Sequence, residues 1–227
     1  MPEKISTPEG ARKLVSEFVG TAFLLATVVG SGIMGDNLSG GNDGIALLGN
    51  TLATGAILVV LILAFGPISG AHFNPAVTLV MYLKGDVSAR LSAAYYLVQL
   101  VGAVTGVLLA HAMFDLPLHQ LSETQRYGGG QWLSEAIATL GLLMAILLTG
   151  RVNAGAVPFA VGLYITAGYW FTASTSFANP AVTLARSLSN TFSGIAPADA
   201  PLFILSQFVG AVLAFGLYRW LYSKPAD

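Results

Sequence analysis

Asn74-Pro75-Ala76-Val77-Thr78-Leu79 is repeated 105 residues later as Asn179-Pro180-Ala181-Val182-Thr183-Leu184. Asparagine before proline is a helix start. The N-cap asparagine accepts from free backbone N–H groups, and proline at the first helical position forfeits no donor the helix needs. What each copy opens is short. Asn74 to Lys84 and Asn179 to Asn190 span 11 and 12 residues, which is about 16 to 18 Å of helix against about 30 Å of bilayer hydrocarbon. Each copy also follows a long apolar stretch. The pair therefore reads as two half-spanning helices with identical starts, one in each half of a membrane protein, a signature of a pore or midplane binding site.

The rest of the chain agrees with a bilayer setting. Its 227 residues are 55% hydrophobic and 9% charged, with mean hydropathy +0.72, far from the mix of a soluble domain. Stretches near Leu14–Met34, Ile45–Phe65, Leu91–Met113, Trp132–Gly150, Gly155–Ser174 and Pro201–Tyr222 are each about the 20 residues a spanning helix needs. The expectation is an all-α polytopic membrane protein: six transmembrane helices plus two re-entrant half-helices, in one domain over residues 1–227. Met1 to Lys13 is polar and lacks an apolar core with a small-residue cleavage site, so no removable signal peptide is expected.

Charge and composition narrow the function. Lys4, Arg12, Lys13, Lys84, Arg90, Arg151, Arg219 and Lys224, eight of the ten basic residues, fall on one side of the expected topology; Arg126 and Arg186 fall on the other. The positive-inside bias places both termini in the cytoplasm. A net charge of −1 argues against a nucleic-acid partner. The chain has no cysteine, which excludes disulfides, thiol catalysis and thiolate metal sites. His72, His111 and His119 have no carboxylate at metal-ligand spacing, and no nucleophile–base pair or phosphate-binding glycine loop is present. No enzyme, cofactor or metal is expected.

The duplication extends beyond the hexapeptide. Ser16-Glu17-Phe18-Val19-Gly20-Thr21 aligns with Ser134-Glu135-Ala136-Ile137-Ala138-Thr139, and Gln99-Leu100-Val101-Gly102-Ala103-Val104 with Gln207-Phe208-Val209-Gly210-Ala211-Val212, at offsets of 118 and 108 residues. Repeat one covers 14–113 and repeat two 132–222. Three spans per repeat is an odd number, so the second copy enters from the opposite face and the repeat is inverted. The half-helices then dip from opposite sides and their Asn-Pro starts meet near the midplane. Two helix N-termini, each with free N–H groups and roughly half a positive charge, point at one spot. A cation is repelled there, while a neutral hydroxylated solute accepts hydrogen bonds from Asn74 and Asn179. The segments Ser69 to Phe73 and Ser174 to Ala178 are expected to be extended. Irregular backbone at membrane depth is tolerated where it lines a wet cavity. Gly70, Ala71, His72, Phe73, Thr175, Phe177 and Ala178 are accordingly expected to line the passage with carbonyl acceptors.

The two Asn-Pro-Ala motifs, the Glu-x-x-x-Thr of spans one and four (Glu17, Thr21; Glu135, Thr139) and Ser69-Gly70-Ala71-His72 resemble the aquaporin (major intrinsic protein) family over nearly the whole chain. The resemblance implies a homotetramer with one pore per protomer. It implies that Glu17 and Glu135 bind the backbone of the re-entrant loops; a proton relay is the other reading of such buried acids. In most of the family an arginine follows the second Asn-Pro-Ala directly; here the position is Val182. Family spacing places the other constriction residues 20 residues before Asn74 and 12 and 3 before Asn179, at Thr54, Ala167 and Ser176. All four are small and uncharged, so a wide constriction without a fixed cation is expected. Valine at this position resembles a bacterial branch of aquaglyceroporins linked to arsenic handling. That implies an inner-membrane channel for trivalent arsenous acid or methylarsenite, with glycerol, urea and water as competitors. Arg186 stands four residues after Val182, one helical turn along; it is expected to find its partner outside the pore or across a protomer contact, the other reading being that it substitutes for the missing constriction arginine by reaching outward. His72 faces the passage or orders its loop, and gating by its protonation stays open. His111 and His119 are expected to be solvated or packed, and Gly102 and Gly106 to mark close helix packing.

Two other classes remain. Secondary transporters also use inverted repeats with half-helices, and would show uptake that collapses with the proton gradient. A purely structural membrane protein would carry no solute in purified liposomes.

Overall fold

In the computed structural model, residues 7–223 are described; Lys4 and Lys224, used in the charge count, lie outside them. Every regular element among them is helical: α1 Pro8–Leu38, α2 Asp43–Ser69, α3 Pro75–Lys84, α4 Ala89–Met113, α5 Gly129–Val152, α6 Val157–Phe171, α7 Pro180–Arg186 and α8 Ala200–Leu221, with a 3-10 turn at Ala154–Ala156 ahead of α6. Six helices, counting α6 with that turn, are long and apolar enough to cross a membrane. Six crossings return the chain to its starting face, called here the terminal face; the opposite one is the far face.

Local chemistry sets the boundaries. Thr7, Asn42, Asn74, Ser88 and Asn179 all cap helix starts with side-chain oxygens, and Pro8, Pro75 and Pro180 occupy the first turn behind them. Gly70 (φ 88°) and Gly85 (φ 90°) end α2 and α3 in the left-handed conformation that glycine adopts without strain. Three expectations shift. Ser69 is the last residue of α2 and does not begin a loop, α6 closes at Phe171 short of Ser174, and α7 stops at Arg186, leaving a stub of 7 residues. The loops before the stubs are not extended either. Ala71, Phe73, Thr175, Ser176 and Ala178 all have φ between 49° and 62°. Non-glycine residues hold that region only where surrounding contacts over-determine them.

α1 packs on α4 and α2, α5 on α8 and α6, and α2 on α6. Each stub packs across the repeat boundary, α3 on α8 as well as α4, and α7 on α4 as well as α8. Glycine permits the closest crossings. A Cβ on Gly106 would lie 2.2 Å from the Ala22 carbonyl oxygen, and one on Gly210 2.2 Å from that of Ala136. The exterior carries large apolar side chains such as Phe23, Leu97, Leu163 and Leu205, while Glu17, Gln99, Glu135, Gln207 and Arg186 are among the most buried residues. Lipid solvates the first group, and the second must satisfy its polar atoms within the protein.

Candidate functional site: a cavity between two opposed helix stubs

The stubs are held start to start by their asparagines. Asn74 Oδ1 accepts from Ala76 N at 2.8 Å, and its Nδ2 donates across the repeat to Ala178 O at 2.8 Å. Asn179 Oδ1 accepts from Ala181 N and Val182 N, and its Nδ2 donates to Phe73 O at 2.8 Å. Each side-chain amide has two N–H groups, so one donor on each asparagine remains for a guest.

Two buried carboxylates fix the loops that present these asparagines. Glu17 accepts from Ser69 Oγ, His72 N, Phe73 N and Gln99 Nε2. Glu135 accepts from Phe177 N, Ala178 N and Gln207 Nε2. Gln99 and Gln207 each also donate to a stub threonine, Thr78 and Thr183, whose hydroxyls donate to the carbonyls of Asn74 and Asn179. The same bonds recur in both halves. With both acids occupied by backbone, the loop-binding reading of Glu17 and Glu135 accounts for their burial without a proton relay.

A cavity of about 530 Å³ runs past the asparagines. At the terminal face it is lined by Glu9, Lys13, Asp86 and His72; midway by Asn74 and Asn179; and at its far end by Thr54, Tyr169, Ser176, Val182 and Arg186. Gly70, Ala71, Phe73, Phe177 and Ala178 line it, as expected of the loops, but Thr175 does not. Pro75, Ala76, Pro180 and Ala181 are buried away from the cavity, with Ala76 and Ala181 packed in the apolar core, so of each Asn-Pro-Ala only the asparagine faces the opening. His72 lines the cavity with Nδ1 3.0 Å from Thr78 Oγ1 and its ring edge-on to Tyr95. His111 is fully buried, Nε2 2.9 Å from Ser189 Oγ and Nδ1 3.2 Å from Leu118 O, a packed position.

The far end corrects two expectations. Ala167 is exposed on the outside of α6 and does not touch the cavity; Tyr169, 3% exposed, lines it and lies 3.2 Å from Thr54 Oγ1 through its hydroxyl. The cavity face of α6 is Val157, Val161, Ile165 and Tyr169, spaced by four as a helix requires, and Ala167 falls about 200° from Tyr169 around the axis. The cavity-facing residue thus stands 10 positions before Asn179, where the family spacing pointed to 12. That spaced run was the available sequence signal. Arg186, expected to pair outside the pore or across a protomer contact, is 2% exposed, lines the cavity and stacks on Phe177 with Cζ 3.4 Å from the ring centroid. Its Nε donates to Ser193 O. Side chains on a helix lean toward its N-terminus, so Arg186 reaches back one turn to the level of Val182.

Arg126 was missed as a site residue. It lies on the connection from α4 to α5, 5.1 Å from the Phe177 ring, with Nε donating to Gly194 O at 2.8 Å and Nη1 to Ser174 O at 3.5 Å. This connection is zipped to the one following α7. Ser122 N donates to Ser187 O, Glu123 N to Asn190 Oδ1, Ala196 N to Thr124 O and Arg126 N to Asp199 Oδ2. Burial lowers the Arg126 pKa from its ordinary value, and the field of Glu135 works against that shift.

A cavity with paired donors at its middle, set among six helices long and apolar enough to cross a membrane, is the architecture of a channel for small solutes. The comparisons agree: the Major intrinsic protein family pattern matches residues 4–168 and 147–226, and the chain belongs to that family. It is 58% identical over 210 residues to "Aquaglyceroporin AqpS" of Rhizobium meliloti (strain 1021), covering 92% of this chain and 90% of that one. It is 30% identical over 231 residues to "Aquaporin Z" of Bradyrhizobium diazoefficiens, covering 94% and 95%. The fold is similar to the X-ray structure of the aquaglyceroporin from Plasmodium falciparum, with TM-score 0.74 at 22% identity over 92% of this chain and 95% of that one.

Proposed function

We propose that the chain is a passive channel for small uncharged polyhydroxyl solutes. Trivalent arsenous acid or methylarsenite is the favoured solute, and glycerol, urea and water also pass. The observation that carries this reading is the continuous cavity in which Asn74 and Asn179 each keep an uncommitted amide N–H. A solute with several hydroxyls exchanges its water for these donors and for the acceptors of the loops. Similarity to a protein described as an aquaglyceroporin supports solutes larger than water. The absence of cysteine supports the arsenical, since no thiol is present to trap arsenic(III). The channel sits in a bacterial inner membrane with both termini cytoplasmic, as a homotetramer of 227-residue single-domain protomers whose repeats, 14–113 and 132–222, are related by the duplicated carboxylate anchors.

Stopped-flow permeability of reconstituted vesicles to water, glycerol and arsenous acid, side by side, tests the reading. Flux of all three that is unaffected by collapsing the proton gradient is expected. Passage of water alone would refute it, and gradient-dependent, saturable uptake would favour a transporter.

Valine at 182 leaves room that a longer side chain would fill. Val182→Arg is therefore expected to lower glycerol flux about tenfold or more, the effect of ~1.4 kcal/mol of added barrier, with water flux largely retained. Unchanged glycerol flux in light-scattering traces would mean that Val182 does not bound the passage.

A further inference from the structure

We propose that Arg186, seconded by Arg126, supplies the fixed positive charge and the solute-binding donors of the far-end filter, so that this filter binds oxygen-bearing neutral solutes and repels cations although Val182 offers no charge. The inference rests on the channel reading and assigns its selectivity to residues that the motif spacing does not point to.

Three observations carry it. First, Arg186 is a charged group on the cavity wall with no carboxylate within ion-pair distance among the described residues. Its Nε is held by Ser193 O and its plane by Phe177, while no protein acceptor among the described residues engages Nη1 or Nη2. A guanidinium presents its donors as a rigid planar fork, so the two Nη groups are left to meet whatever passes. Second, Arg126 lies over the same ring from a different segment and is tied in place by Gly194 O and Ser174 O. Two cations on one aromatic ring outnumber Glu135, the single buried carboxylate whose field reaches both of them, and that leaves net positive charge beside Phe177. Third, the surroundings can hydrogen-bond a guest. Thr54 and Tyr169 offer hydroxyls, and the buried Ser176 Oγ, also on the cavity wall, has no partner. The site suits a compact solute with at least two acceptor oxygens, one for the guanidinium fork and one for a hydroxyl.

The far-face zipper explains why the arrangement is stable. Ser189 N and Ile195 N both donate to Arg186 O, which fixes the backbone at the end of α7, and Ser193 O from the same loop holds the side chain. Arg126 is a positioning residue and second charge; Arg186 is the residue that meets the solute.

The experiment is sodium conductance across planar bilayers, paired with glycerol flux in vesicles, for the parent, Arg186→Gln and Arg186→Lys. Arg186→Gln is expected to raise sodium conductance at least about tenfold, because a unit charge within a few ångströms in a poorly screened site dominates the barrier to a cation. Arg186→Lys keeps the charge but not the fork. It should stay tight to sodium while glycerol flux falls severalfold. A glycerol-conducting Arg186→Gln channel as tight to sodium as the parent would overturn the proposal, as would a sodium-leaky Arg186→Lys; the latter also decides the matter should Arg186→Gln fail to fold. Loss of glycerol flux in the parent itself would refute the channel reading instead.

Discussion

Glu135→Ala is expected to abolish the folded channel. The substitution strands Phe177 N–H, Ala178 N–H and one of the two Gln207 amide N–H groups at a fully buried position. Each buried donor left unpaired costs about 1–3 kcal/mol, so the three together cost roughly 3–9 kcal/mol against a total stability of about 5–15 kcal/mol. The left-handed residues Thr175, Ser176 and Ala178 lose the contact that over-determines them, and the loop that positions Asn179 and Phe177 is released. Thermal unfolding and size-exclusion profiles in detergent give the measure: a broad, early-melting or aggregated species is expected. Glu135→Gln, which keeps one acceptor oxygen, should fall between. Glu17→Ala should behave alike, since His72 N, Phe73 N, Ser69 Oγ and Gln99 depend on it. A Glu135→Ala protein that melts within about 2 °C of the parent, less than the ~2–4 °C per kcal/mol of a domain this size, would show that the carboxylate does not hold the loop. Proton-dependent flux in the parent that disappears in a well-folded Glu135→Gln channel would reopen the relay reading.

Gly106→Val is the second large effect. The added Cβ meets the Ala22 carbonyl oxygen at 2.2 Å, Leu25 Cβ at 2.8 Å and Ala26 N at 2.9 Å, mostly backbone that cannot rotate aside. α1 and α4 must separate, and van der Waals contact between close helices is a main source of association in lipid. Overpacking of this kind costs about 1–3 kcal/mol, occasionally more, and valine adds two further methyls to a clash already present in alanine. Gly216→Val, on α8 with nothing within 4 Å of its Cβ position, is the control and should melt near the parent. Equal melting temperatures for the two variants would remove the packing argument.

Much of this was legible in the residues. The duplicated hexapeptide announces capped stubs because capping is local: Asn74 and Asn179 bond to Ala76 and Ala181, two residues on. The spans are legible because hydropathy needs only composition over one helix length. The paired Glu17 and Glu135, with Gln99 and Gln207 at matching places, mark the anchors because buried polar residues in an apolar helix must find partners, and the repeat shows there are two sets.

The far end was not legible, and two residues show why. Ala167 and Tyr169 are two positions apart, yet one faces outside and the other the cavity. Spacing counted from a motif fixes a residue's distance along the chain. It does not fix the phase of a helix whose end depends on the length of an irregular loop. Arg186 was expected to pair outside the pore or across a protomer contact, but its partners, Phe177 and Ser193 O, lie on segments that the folded far face brings to it. Short-range rules, capping and hydropathy, are written into the sequence and set the topology and the donors at the midplane. The charge and width of the filter depend on contacts between distant segments, and the folded structure alone decides them.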